Sequence, residues 1–358
     1  MARFAPDYQK AMEPMMAVAA SQQPPPPNNV IELRKELDSL IAVAYQSPPA
    51  PKDITQTVFE VPVSATNKAV IVTRFATAAQ TAASSQPAAI YLHPGGMVCA
   101  SVKLLAPSIA NETAQTGVQH WAVEYSKSPE VEAPVALEEA YAVLQWLSKH
   151  SAELGIDNTR IGVAGSSAGG GLAAGLGLLA RDRGFAPPIA KLIMIYPMLD
   201  DRTVQAHPPK GARHAGGNAA DDDWAVRPLL TWTCEQNAMA WAAYLGVGNP
   251  YTDDALTCAA NLAKASAIGT GPGAGTAAMY AIPARAASLV GLPSSYIDVG
   301  GLDLFTEECV QFAARLARDQ VDFDLHVFNG VPHSFEGASD TNAAKTALEQ
   351  RRRAFNSF

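Results

Sequence analysis

Ser167 sits in the stretch of this chain best suited to covalent chemistry. The segment Arg160-Ile-Gly-Val-Ala-Gly165-Ser-Ser167-Ala-Gly169-Gly-Gly171 passes from a short apolar run into G-x-S-x-G and then into residues rich in Ala and Leu. Small residues two before and two after Ser167 are what a tight strand-to-helix turn requires. Such a turn lifts the hydroxyl above a sheet and places a helix N-terminus behind it, where developing negative charge is favoured. Other chemistries fit this segment poorly. A phosphate loop needs G-K-[ST], and no lysine follows. Gly169-x-Gly171-x-x-x-Gly175 is a faint dinucleotide fingerprint, but it lies inside the helical run and no acid ends the next strand.

A nucleophilic serine needs a base, an orienting acid and donors for an oxyanion, and three distant segments offer them. Upstream, Tyr91-Leu-His93-Pro94-Gly95-Gly96-Met97 follows an apolar strand, and its glycines let backbone N–H groups approach a substrate closely. Downstream, Tyr296-Ile-Asp-Val-Gly-Gly-Leu-Asp303 places an acid just past a strand, and Gly330-Val-Pro-His333-Ser-Phe335 places a histidine after the next one. His326 competes with His333 as base, but it lies inside a strand that fixes its side chain to one face. His93 reads as a brace for the glycine loop. His207, His214 and Asp221 to Asp223 have no ligand-like spacing and read as a solvated loop, so no metal or organic cofactor is expected. Trp224, Trp232 and Trp241 can line an acyl pocket, although helix packing is the default for each.

The elements that must hold these residues alternate. Residues 1–30, with the run Pro24 to Pro27, read as an extended tether. A helix with Asn28 or Asn29 as N-cap carries Ile31, Leu33, Leu37, Leu40, Ile41 and Ala44 on one face. Strand candidates at 57–61 and 69–75 precede a Thr/Ala/Ser loop. Short strands at 88–92, 120–123, 160–164, 191–196, 295–299 and 323–328 follow. Helices at 135–149, 172–181, 307–318 and 343–355 complete the pattern, which predicts a mostly parallel sheet covered on both faces. Between Asp200 and Leu292 the rhythm breaks, with a helix from about Leu229 to Leu245 and a loop from Gly269 to Gly275. That span reads as an inserted cap. The expected division is 1–50 as tether and cap helix, 51–200 with 291–358 as the catalytic domain, and 201–290 as the cap.

Composition narrows the partners. The 358 residues are 48% hydrophobic, enough for a sizeable core, and 26 Lys and Arg stand against 34 Asp and Glu, for a net charge of −8. An acidic chain whose one basic run is Arg351 to Arg353 is a poor ligand for nucleic acid or an anionic membrane. Four scattered cysteines allow no disulfide framework; a Cys234–Cys258 bridge stays open, but reduced thiols and a cytoplasmic location are expected.

Taken together, these motifs resemble the hormone-sensitive-lipase-like branch of the α/β-hydrolases, a group rich in microbial carboxylesterases. The resemblance runs from about Pro87 to Phe335. It includes Val123-Glu-Tyr-Ser-Lys-Ser-Pro-Glu130, similar to the family's V-D-Y-R-L-A-P-E, as well as Glu138-Glu139-Ala-Tyr141, Trp146 and Tyr196-Pro-Met-Leu-Asp200-Asp201. Trp241-x-x-Tyr244-Leu-Gly246, Pro283-Ala-Arg285 and Gly291-Leu-Pro293 fall in the same order. The order Ser167, Asp303, His333 is that of an α/β-hydrolase triad. The family's H-G-G-G is here His93-Pro94-Gly95-Gly96, and the donors it uses map to Gly95 and Gly96, with Ala168 as third. Its D-P-L is here Asp303-Leu304-Phe305. The resemblance implies an α/β-hydrolase fold with a helical cap. It also implies a serine hydrolase that cleaves small carboxylic esters through an acyl-enzyme on Ser167. Amide or formamide hydrolysis by the same triad is the alternative, and a non-catalytic receptor on this fold a weaker one. The expected partner is a small-molecule ester, and a homodimer is left open.

Overall fold

The structure, a computed structural model, describes residues 2–22, 25–45, 48–212, 224–268 and 278–358. Eight strands form one sheet: β1 (Ile54–Val63), β2 (Lys68–Thr77), β3 (Gln86–Leu92), β4 (Gln119–Glu124), β5 (Ile156–Ser166), β6 (Leu192–Ile195), β7 (Ser295–Gly300) and β8 (Phe323–Phe328). Their spatial order is β1-β2-β4-β3-β5-β6-β7-β8. β2 runs antiparallel to β1 and to β4, and every later pairing is parallel. The chemistry of the strands follows their position. β6 and β7 are buried at every residue, as continuous apolar runs in a two-sided parallel sheet must be. β1, at the edge, alternates less cleanly and leaves Val58 exposed.

Two adjacent side chains of β4 show how the sheet is covered, because neighbours on a strand point to opposite faces. His120 meets Phe355 of the Asn342–Phe355 helix and shares a hydrogen bond with Thr113 of the Val102–Thr116 helix. Trp121 meets Trp146 of the Val135–Lys149 helix. Against that second helix packs Ala168–Asp182, which is buried from Ala168 through Ala180. The loops after β3, β5, β7 and β8 open at the carboxyl edge of the parallel strands, where open α/β sheets bind ligands.

Several expectations need correction. The first 30 residues are not all tether: Pro6–Gln22 is a helix. It escapes periodicity because its described contacts with the core are few, Tyr8 buried and Met12 packed alongside. What fixes it is polar: the Ala5 N–H donates to the Gly330 carbonyl (2.7 Å), and Asp7 accepts from the Asn342 N–H (2.9 Å). The Thr/Ala/Ser loop contains a short helix, Ala78–Ala82, started by a Thr77–Gln80 capping box. Val102–Thr116 was not anticipated, since Pro107 interrupts its pattern; Ser101 caps its start and left-handed Gly117 its end. The helix placed at Leu229 begins later, at Cys234, because Thr233 and Gln236 form its capping box. A further helix, Ala255–Ile268, lies in the same span. The loop Gly269 to Gly275 falls outside the described residues. All four cysteines are free, so Cys234 and Cys258 are not bridged.

The Thr306–Arg318 helix buries a carboxyl, Glu308, which accepts from the Leu199 N–H (2.6 Å) and bonds the Thr203 hydroxyl. Burial pushes its pKa well above the ordinary range, and the nearby Asp200 and Asp303 charges add to the rise. A carboxyl raised in the folded state stabilises fully below its unfolded pKa of about 4.3, and that stability is lost as pH rises through the folded value. Glu308→Gln keeps the acceptor and cannot ionise. Its urea midpoint is therefore expected to gain on wild type as pH rises above the unfolded value of about 4.3 toward the raised folded value. Parallel curves would contradict the assignment.

Candidate active site

The turn from β5 into the Ala168–Asp182 helix is forced by packing. A β-carbon on Gly165 would lie 2.2 Å from the Gly169 carbonyl oxygen, and one on Gly169 would lie 1.9 Å from the Leu92 carbonyl oxygen. Only glycine lets helix, β5 and β3 approach this closely. Ser167, between them, is held at φ 55°, ψ −120°, a region that costs a non-glycine residue about 1–3 kcal/mol unless its surroundings impose it. Three backbone hydrogen bonds impose it here. The Ser167 N–H donates to Ile195 (2.8 Å), and the Ser167 carbonyl accepts from Met198 (3.0 Å) and Gly171 (3.1 Å).

The loops after β7 and β8 bring the two other expected residues to the same point. His333 Nε2 lies 2.9 Å from Ser167 Oγ, and His333 Nδ1 lies 2.7 Å from Asp303 Oδ2. An ionised carboxylate only accepts, so Nδ1 carries the proton and Nε2 is left to accept from the serine hydroxyl. Asp303 is held in turn, its Oδ1 accepting from the Phe305 N–H at 2.9 Å. All three side chains are buried. His326 stays on β8 among the rings of Tyr296 and Phe328.

The imidazole is fenced in on several sides. The Tyr196 and Phe305 rings meet it edge-on at 4.5 Å and 5.2 Å between centroids, and the Thr231 hydroxyl donates to the His333 carbonyl (2.7 Å). Tyr196 donates its own hydroxyl to Glu336. Behind them Arg351 lies 3.6 Å from Glu336 and makes a two-pronged contact with Asp298, at 2.7 and 3.0 Å. Burial opposes the Arg351 charge, but the adjoining Asp298 and Glu336 carboxylates outweigh it and keep the guanidinium protonated.

The glycine loop after β3 is a sequence of unusual backbone conformations. Gly95 (φ 125°), Gly96 (φ 59°), Met97 (φ 61°) and Ala100 (φ 67°) all have positive φ. For Met97 and Ala100 the left-handed region costs about 1–2 kcal/mol each. The N–H groups of Gly95, Gly96 and Ala168 have no acceptor among the described residues, which leaves them available to an anion. His93 sits beneath the loop. Burial lowers its pKa to about 4, so it is neutral near pH 7, and its Nδ1 proton reaches the Pro94 carbonyl (2.7 Å). Tyr125 stacks on the His93 ring at 4.1 Å and donates its hydroxyl to the His93 carbonyl (2.8 Å).

Among the tryptophans, Trp232 comes to the loop: a β-carbon on Gly96 would lie 2.7 Å from its ring. Trp241 is fully buried beside Tyr244, and Trp224 stacks on His207. His214 and Asp221 to Asp223 fall outside the described residues. Sequence reasoning missed Tyr196, Glu336, Thr231 and the helix residues Arg34 and Asp38, which reach this loop from the N-terminal segment. Polar residues whose partners lie far along the chain leave no local pattern to read.

Comparison with known proteins agrees with this geometry. A family model described as the α/β-hydrolase fold matches residues 89–266 and 248–337. The chain is 27% identical over 266 residues to esterase LipI of Mycobacterium tuberculosis, covering 74% of this chain and 70% of that one. A shorter stretch of 114 residues is 38% identical to ethyl acetate hydrolase of Pseudomonas putida, 32% of this chain and 36% of that one. One of 104 residues is 36% identical to mouse hormone-sensitive lipase, 29% of this chain and 14% of that one. A solved bacterial heroin esterase superposes over 99% of this chain and 97% of its own, with a TM-score of 0.75 and 25% identity. The sheet order, the serine turn and these matches lead to one conclusion: the chain belongs to the α/β-hydrolase family, in its hormone-sensitive-lipase-like carboxylesterase branch.

Proposed function

We propose that this carboxylesterase cleaves small carboxylic esters through an acyl-enzyme on Ser167. The observation that carries the reading is the continuous chain of contacts from Ser167 Oγ through His333 to Asp303, at 2.9 and 2.7 Å. Ser167 Oγ attacks the ester carbonyl while His333 Nε2 takes its proton. Asp303 holds the Nδ1 tautomer and supports the imidazolium that forms. The N–H groups of Gly95, Gly96 and Ala168 receive the oxyanion, aided by the N-terminus of the Ala168–Asp182 helix. Collapse of the tetrahedral intermediate breaks the C–O bond and His333 returns the proton to the departing alkoxide. Water then repeats the sequence on the acyl-serine, restoring Ser167 and releasing the acid.

We further propose that residues 1–50 and 201–290 cover this site and limit the acyl chain. The Val30 N–H donates to the Pro250 carbonyl (3.3 Å), so the Val30–Ala44 helix is tied to the insertion. Thr231 and Trp232 reach from the insertion to His333 and Gly96. An apolar wall this close to the donor loop leaves little room for a long chain. The covered site acts on a free small-molecule ester and does not engage nucleic acid or a membrane. Among the described residues, no helix is long and apolar enough to cross one.

A fluorophosphonate probe is expected to label wild type and to spare Ser167→Ala; equal labelling would end the reading. His333→Ala is expected to lose at least about three orders of magnitude in turnover, because the triad acts as a unit. His326→Ala is expected to cost stability and little turnover, and a folded but inactive His326→Ala would reverse the assignment. In a panel of aryl esters, acetate to hexanoate are expected to exceed dodecanoate in kcat/KM, and a flat or rising profile would remove the covering role.

A further inference from the structure

The Val30–Ala44 helix does more than cover the site. Its Asn29 N-cap accepts from the Ile31 and Glu32 N–H groups, which fixes where the helix begins and which residues face the 95–100 loop. Arg34 and Asp38, one turn apart, both face that loop. Arg34 donates through Nε to the Val98 carbonyl and through Nη2 to the Ser128 carbonyl. Its guanidinium also pairs with Glu130 through both terminal nitrogens, at 2.7 Å each. Asp38 accepts from the Ala100 N–H at 2.7 Å. Ser128 in turn donates its N–H to the Met97 carbonyl at 2.9 Å.

These contacts fall on the part of the loop that cannot hold itself. Its internal hydrogen bonds all converge on the Gly95 carbonyl, from the Val98 and Cys99 N–H groups and the Cys99 thiol, and none holds Met97 or Ala100. Met97 and Ala100, both at positive φ, bracket Val98 and Cys99. The groups that pin Met97, Val98 and Ala100 from outside are the Ser128 N–H, Arg34 and Asp38, and Arg34 ties the 128 segment to the loop. A conformation of this kind persists only when its surroundings over-determine it. The orientation of the Gly95 and Gly96 N–H groups depends on that same stretch of backbone.

We propose that Arg34 and Asp38 are positioning residues for the oxyanion donors, acting through the 95–100 backbone without touching the substrate. The proposal rests on the assignment of Gly95 and Gly96 as donors in ester hydrolysis. It makes the Val30–Ala44 helix part of the catalytic frame. The Glu130 pair is secondary in this account, because Glu130 is largely exposed and an exposed ion pair contributes little.

The test compares Arg34→Ala, Arg34→Lys, Asp38→Ala, Asp38→Asn and Glu130→Gln in the full chain. Each is assayed for kcat and KM on a short-chain p-nitrophenyl ester. Each is also assayed for binding of an aryl trifluoromethyl ketone, whose serine adduct places an oxyanion in the hole. Removing an oxyanion donor outright costs about 100- to 1,000-fold in kcat, so misplacing two is expected to cost about 10- to 100-fold. Arg34→Ala and Asp38→Ala are expected to lose kcat by that factor with KM within about threefold, and ketone affinity is expected to fall in parallel. Asp38→Asn retains an acceptor for the Ala100 N–H and is expected to restore most of the rate, while Glu130→Gln stays near wild type. If the alanine variants do not fold, Arg34→Lys carries the test, since an ammonium lacks the planar fork that meets the Val98 and Ser128 carbonyls and Glu130 at once. Folded variants with wild-type kcat and ketone affinity, or losses confined to KM, would overturn the proposal. An active wild type with an inactive Ser167→Ala and wild-type-like Arg34 and Asp38 variants would refute this inference alone. Undiminished ester hydrolysis by Ser167→Ala would instead refute the reading on which it rests.

Discussion

At Gly169 a β-carbon would overlap the Leu92 carbonyl oxygen at 1.9 Å, and much of the site follows from that contact. It brings the helix after the serine turn against the end of β3, so that the 95–100 loop and Ser167 become neighbours. It holds Ser167 where a helix N-terminus lies behind it, and the price is a strained serine at positive φ that three backbone hydrogen bonds must fix. The hydrogen bonds come from β6 and the loop after it as well as from the helix itself. The turn is thus stable only within the assembled sheet, which explains why its strain is tolerable there and would not be in an isolated peptide.

The histidine side is built differently, from buried polar groups in place of close backbone packing. His333 follows β8 on a loop that carries no regular structure until Phe335. Its position is set by Asp303, by the Tyr196 and Phe305 rings and by Thr231, while Tyr196 is anchored to Glu336 and thereby to Arg351 and Asp298. Arg351 belongs to the closing helix, so that helix supports His333 through Glu336 and Tyr196. The N-terminal residues do the same from the side, through Ala5 and Gly330. A buried ion pair is poor evidence of net stability, but removing one partner strands the other. Such a network therefore favours a single geometry at the histidine.

What could be read from the sequence divides along physical lines. The central strands β3, β6 and β7 were legible because burial on both faces writes a nearly continuous apolar stretch, and Ser167, Asp303 and His333 lie at or shortly after the ends of β5, β7 and β8. Local chemistry was legible too: of the two N-cap candidates, Asn28 and Asn29, the helix uses Asn29. The Pro6–Gln22 helix was not, since Tyr8 is its one described buried residue and a single anchor has no period. Val102–Thr116 was hidden by Pro107. Arg34, Asp38 and Glu336 were invisible for a third reason. The backbone partners of Arg34 and Asp38 lie 62 to 94 residues away and the Tyr196 partner of Glu336 lies 140 away, and a charged residue on a helix looks the same whether it meets solvent or a backbone carbonyl.

The central claim is that Ser167 carries the acyl group during turnover, and trapping that group tests it most directly. Rapid mixing of the enzyme with p-nitrophenyl acetate, acid quenching and peptide mass spectrometry would report where the acetyl resides. The account predicts a burst of p-nitrophenol of about one equivalent per chain, if deacylation is the slower step, with the acetyl on Ser167 at levels that follow turnover. Steady hydrolysis with the acetyl on another residue, or with no acyl group on Ser167 when a slowly deacylating ester is used to prolong the intermediate, would contradict it.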